Sequence, residues 1–201
     1  MIGTQRKSIR KGGRMTSLGK CAAVLFVIAA FGKTNATTMF ELTLKDLSVG
    51  AQKIVQAKVT AVIPQWSTDR KVIDTYIRMN IVDDLLGSEE DNEIIIKQPG
   101  GKMGALTLKV SGSAEFKVGE DDIVFLERDL LNPTVYRTMG LYQGKYTVHT
   151  DPITNTQTVA QDTTRNVTLL RKSSTVAQTG NGYDLSQFKQ LILQLRNQSA
   201  Q

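Results

Sequence analysis

The chain has 201 residues, 40% of them hydrophobic and 22% charged, with 25 Lys or Arg against 19 Asp or Glu, one His and one Cys. The net charge of +6 belongs to one end: residues 1–36 hold seven Lys or Arg and no acid, which leaves 25 − 7 = 18 bases against 19 acids, a net of −1, over 37–201. A nucleic-acid partner calls for a basic folded surface and is therefore not expected, and with Cys21 the only thiol, disulfide staples and cysteine metal sites are excluded beyond residue 21.

Residues 1–36 have the anatomy of a signal peptide. A basic stretch precedes the apolar run Cys21–Phe31, and "GKTNA" offers Thr34 and Ala36 at the small-residue positions before a cut. Met15 is an alternative start. The run of 11 residues is about half of the ~20 that span a bilayer. It reads as a cleaved export signal to the periplasm or outside, with no stable membrane span after cleavage; an uncleaved inner-membrane anchor is the alternative.

In the remainder, "TLKD" predicts a helix over about 44–52, with Thr43 as N-cap and Asp46 three residues on. Val55, Ala57, Val59, Ala61 and Ile63 alternate at strand period, and Pro64 is expected to end that strand. A second, long strand carries Ile73, Thr75, Ile77, Met79 and Ile81 on one face and Tyr76, Arg78 and Asn80 on the other. "EIIIKQ", "ALTLKV" and "DIVFLER" read as further strands, and "GSAEFKVGEDD" as a turn-rich link. "TVYRTMGLY" and "GKYTVHT" read as a closing hairpin that "ITNTQTVA" extends. Residues 151–183 are assigned to a polar hairpin or linker. Leu185, Phe188, Ile192 and Leu195 recur at helical spacing in a C-terminal helix over 184–199, capped by Asp184 or Ser186. Several short strands with no alternating helices predict a mainly β domain over 37–150. A small antiparallel barrel of the oligonucleotide/oligosaccharide-binding (OB) type is expected, with a β-sandwich as the alternative.

The order of Ile54–Val59, Trp66, Tyr76–Leu86, "QPGG" at Gln98–Gly101, "FKVGEDDIVFL" at Phe116–Leu126 and "GLYQGKYTV" at Gly140–Val148 resembles a family of uncharacterised exported bacterial proteins. The arrangement is also similar, distantly, to the netrin/TIMP class of OB barrels. The resemblance implies a fold and a compartment. The N-terminal cysteine on which metalloproteinase inhibition depends in that class is absent, so the inhibition does not carry over.

The loop "QPGGKMG" is neither a Walker motif nor a dinucleotide fingerprint. Its glycines read as turn residues, with Gln98, Gly100, Gly101 and Lys102 as candidate binding residues on a barrel rim. Glu120–Asp122, Glu89–Asp91 and Asp83–Asp84 lack the alternation of a calcium loop and read as solvated turns. His149 has no second histidine for a zinc site and no "GxSxG" for a triad. Among the aromatic residues, Tyr142 and Tyr146, with Gln143 beside them and Gly144 between, predict a flat platform for a protein or glycan. The expectation is a non-enzymatic exported domain, without cofactor or metal, that binds another macromolecule. Two other readings stay open: a carboxylate-dependent glycan hydrolase, and an inhibitor or chaperone of a co-secreted protease.

Overall fold

The computed structural model describes residues 37–87, 92–161, 167–170 and 182–199, so residues 1–36, where the export signal is expected, and most of 162–181 lie outside the described residues. Strand β1, Thr37–Phe40, precedes helix α1, Leu44–Gly50. Thr43 caps α1: its hydroxyl accepts from the Asp46 amide while the Asp46 carboxylate accepts from the Thr43 amide, a reciprocal capping box.

Strands β2 (Lys53–Trp66), β3 (Ile73–Asp84) and β4 (Glu93–Pro99) form an antiparallel meander. The period-2 alternation of β3 is borne out, with Ile73, Thr75, Ile77 and Met79 buried and Tyr76, Arg78 and Asn80 turned outward. Pro64 does not end β2; it pairs with Thr75 inside the strand. Beyond Lys58 only β3 flanks β2 in the sheet, so the missing N–H of proline breaks no ladder on the other side.

A small hairpin follows, β5 (Gly101–Met103) and β6 (Leu106–Leu108). The link after it has no regular structure, yet Ala114 and Phe116 are buried inside the barrel. Strand β7 (Asp121–Arg128) pairs with β2, and β8 (Tyr136–Thr138) pairs antiparallel with β7 and parallel with β4. The ring β2-β3-β4-β8-β7-β2 is a closed five-strand barrel. Renumbered within the barrel the order is 1-2-3-5-4-1, the Greek-key order of an OB-like barrel.

The closing hairpin is corrected by the structure. Strands β8 and β9 (Lys145–Thr150) do not pair with each other; both pair with β7, one after the other along it. Between them Met139–Gly144 is looped out through a 3-10 turn at Leu141–Gly144. This excursion lets β9 leave the barrel and carry β10 (Gln157–Gln161), which extends the sheet as expected, and then β12 (Tyr183–Asp184). Strand β11 (Val167–Leu170) pairs in parallel with β1.

Strand β7 is consequently buried on both faces, which explains its unbroken apolar run. Val124 and Leu126 face the barrel interior with Val55, Ala57, Ile77 and Ile96. Ile123 and Phe125 face a second core made with Ile54, Tyr146, Val148, Val159 and the two helices. The C-terminal helix α2 (Leu185–Asn197) is capped by Asp184 and packs Leu185, Phe188 and Ile192 into that core. Arg196 ties it to α1 by donating to the carbonyls of Ser48 and Ala51 at 2.8 and 3.0 Å. Among the described residues no helix is long and apolar enough to cross a membrane.

Candidate binding surface

The turn between β7 and β8 reads "DLLNPTV", and side-chain hydrogen bonds hold it in one shape. Asp129 Oδ1 accepts from the amides of Leu131 and Asn132, both at 2.9 Å. Asn132 Oδ1 accepts from the Thr134 amide and hydroxyl at 3.1 and 2.6 Å, and Arg128 Nη1 donates to the Pro133 carbonyl at 2.9 Å. These polar groups bind their own backbone, as Asx residues do in turns. Burial opposes the charge on Asp129, but the two amides, Lys97 and Arg137 outweigh it and keep its carboxyl below the usual range. The residues left at the tip are Leu130 and Leu131, 88% and 92% exposed.

Beneath the loop is a cleft of about 380 Å³ lined by Glu93, Ile95, Arg128, Pro133, Thr134 and Tyr136. The Arg128 guanidinium lies 5.2 Å from the centroid of the Tyr136 ring, within cation–π range. Alongside runs the outer face of β3 and β4, where Tyr76 stands opposite Lys97 and Arg78 opposite Ile95. Lys97 is held by Asp74 at 3.1 Å, which raises its pKa against the opposing effect of burial.

A second polar cluster closes the end of the barrel where β7 begins. Lys145, 1% exposed, places Nζ 3.2 Å from Glu120 Oε2, 3.2 Å from Asp122 Oδ1 and 3.0 Å from Thr147 Oγ1, and 5.2 Å from the centroid of the Phe116 ring. Thr147 donates its hydroxyl to Asp122 Oδ1 at 2.8 Å. Asp122 is fully buried and its Oδ2 has no hydrogen-bond partner. Burial pushes the Asp122 carboxyl up to about 6, in spite of Lys145 and Thr147. On the outside of this cluster Lys58, Val82, Gly119, Glu120, Asp121 and His149 are among the residues that line a groove of about 450 Å³. Asp121 is raised by burial and steadied by Gln56, whose Nε2 donates to Oδ2 at 2.7 Å.

The residues singled out from the sequence are distributed otherwise than expected. Tyr142 and Tyr146 form no platform: Tyr142 is buried in the barrel and Tyr146 in the second core, 5.7 Å from Phe125 and 4.9 Å from Phe188 between ring centroids. Gln143 is buried between them and holds the N-terminal segment, accepting from the Leu42 amide at 2.7 Å and donating to the Phe40 carbonyl at 3.0 Å. Gln98 is half-buried at the end of β4. Gly100, at φ +99°, receives the Thr75 hydroxyl on its carbonyl at 2.6 Å, and a side chain on Gly101, at φ +145°, would strike Thr75. Both glycines are therefore demanded by the chain path. Lys102 is exposed on β5.

The expected solvated turn at Glu120–Asp122 is likewise corrected, because strand parity sends Asp122 inward beside Lys145. Glu89–Asp91 lies outside the described residues. His149 is exposed on β9. Among the described residues no group of three or more His, Cys, Asp or Glu is placed to hold a metal ion. Sequence reasoning passed over Leu130 and Leu131. The visible signal was a leucine pair between Asp129 and Asn-Pro, where turn chemistry calls for polar residues.

In comparisons with protein-family models, curated proteins and solved structures, nothing matches this chain.

Proposed function

We propose that the folded part of this chain is a non-enzymatic binding domain, exported to a bacterial envelope or beyond, which docks a protein through the β7–β8 loop. The carrying observation is the pair Leu130 and Leu131, almost wholly exposed on a turn stiffened by Asp129 and Asn132. Exposing large apolar side chains on a held turn is unfavourable for a free protein and useful for one that seats them in a partner's pocket. In OB folds the loop between the fourth and fifth strands, here β7–β8, and the face of the second and third, here β3 and β4, form the ligand surface, for oligonucleotides and oligosaccharides in the best-known cases. A glycan is the weaker fit, since leucines offer neither hydrogen bonds nor an aromatic face. The flanking Arg128, Arg137 and Glu127 supply the polar rim that a protein interface needs.

The test places a photo-crosslinking amino acid at position 134, exposed on the same turn beside the leucines, and illuminates the chain in its native envelope or culture medium. A discrete protein adduct, lost in a Leu130→Ser/Leu131→Ser chain with an unchanged melting temperature, supports the proposal. The same captured set with and without the leucines overturns it, as does binding of the chain to neutral phospholipid vesicles through these leucines without any protein adduct.

A further inference from the structure

We propose that Lys145 and Asp122 become joined by an intramolecular isopeptide bond, formed with Glu120 moving the protons. This modification site stands apart from the docking role and does not depend on it. The geometry is that of a reaction held at contact. Nucleophilic nitrogen and carboxyl oxygen are 3.2 Å apart, both side chains are out of water, and a second carboxylate lies 3.2 Å from the same nitrogen. Asp122 stands opposite Thr147 and Lys145 opposite Val124, so the two side chains are diagonal neighbours on one face of the β7–β9 pair. The Phe116 ring closes the site beside Nζ.

Burial supplies the reactive form. A desolvated ion pair is costly, and passing one proton from the ammonium to Asp122 leaves a neutral amine beside a neutral acid. With the Asp122 carboxyl raised to about 6, the neutral acid is a minor but accessible form near neutral pH, and it is this form that reacts. The lone pair on Nζ then adds to Cγ of Asp122, and the C=O pair moves onto oxygen. Glu120 takes a proton from nitrogen and hands it to the hydroxyl on Cγ. The C=O re-forms as the C–O bond breaks, and water leaves. One ammonium and one carboxylate become one amide and one water, with no oxidant, reductant or cofactor. Holding the reactants in contact replaces the activation that amide formation requires in solution.

The bond would tie β7 to β9 where the chain leaves the barrel, across a loop that contains Leu130 and Leu131. For an exported chain with no cysteine after residue 21 it supplies a covalent staple without a disulfide.

Trypsin digestion and mass spectrometry of the purified full chain test this. The expected result is no cleavage after Lys145 and a branched peptide joining Val118–Arg128 to Thr138–Arg165, lighter than the two together by one water. An Asp122→Asn chain should give the same branched peptide with loss of ammonia in place of water, an exchange that an ion pair cannot imitate. Glu120→Gln should leave the peptides separate. Separate peptides of full mass in the wild-type chain after prolonged incubation overturn the proposal whether or not the variants fold, and a linked Glu120→Gln chain overturns the part given to Glu120.

Discussion

The carbonyl of Phe125 accepts the amide of Met139 at 2.9 Å, and the six residues Met139–Gly144 are looped out opposite that one position of β7. This junction decides the architecture. Before it the chain closes a barrel, and after it the same chain builds a second layer. Gly144 sits where the excursion returns, and a Cβ there would run into the backbone of Met139 and lie 3.0 Å from the Phe125 carbonyl oxygen. Because the obstructing atoms are backbone, no rotamer change relieves them. Gly144→Ala is expected to cost about 1–3 kcal/mol, read as a lowered urea midpoint at unchanged slope. An unaltered midpoint would show that the excursion is soft.

The same excursion marks the boundary of what was legible. The faces of β3, the capping box at Thr43 and the C-terminal helix follow from local period and local chemistry, and sequence reads both. Tyr142 and Tyr146 are four apart, an even spacing that puts both on one face only if the strand runs through them unbroken. The 3-10 turn breaks that parity and sends them into different cores. Asp122 looked solvated because its partner Lys145 is distant in the chain and reaches it only through the β7–β9 pairing. Long-range pairing of this kind leaves no periodic trace. The two exposed leucines could have been noticed, since "DLLNP" places apolar residues where a turn has no core to bury them.

Gln143 is the residue that fastens the N-terminal segment to the barrel. Its side chain satisfies the Leu42 amide and the Phe40 carbonyl at once. Truncation leaves two backbone groups, both part-buried, without these partners. Gln143→Ala should therefore destabilise by about 1–3 kcal/mol. The more specific readout is hydrogen exchange: the Leu42 amide should lose protection while amides of β3 and β4 change only with global stability. Protection at Leu42 unchanged from wild type would mean that other contacts hold the segment.

Asp121 gives a pH dependence with a definite sign. Burial raises its carboxyl above 3.8 in the folded state, the hydrogen bond from Gln56 and the charges of Lys58 and Lys189 opposing in part. The folded chain thus binds this proton more tightly than the unfolded chain. Its contribution to stability is fully present below about pH 4 and is lost as pH rises through the folded value. Asp121→Asn keeps an oxygen for Gln56 and removes the charge. The variant should be more stable than wild type at pH 7, with the gap narrowing to nothing near pH 3 in a series of denaturant titrations. A gap that is constant across that range would assign the effect to packing in place of ionisation.

Asp129 separates how the leucines are presented from what they touch. Its carboxylate is the acceptor that folds the tip back on itself, and its side chain, 10% exposed, offers little surface of its own to a partner. Asp129→Ala retains both leucines and frees the turn, so the ordering of the loop must then be completed on binding. With about 0.5–1.5 kcal/mol for each group newly immobilised, affinity for the captured partner should fall by roughly tenfold. The melting temperature should drop only slightly, since the turn lies outside both cores. Calorimetry on wild type, Asp129→Ala and Leu130→Ser/Leu131→Ser orders the effects: the leucine pair removes binding, whereas Asp129 weakens it through a larger entropy loss. Equal affinity for Asp129→Ala and wild type would show that the turn needs no fixed shape to engage its partner.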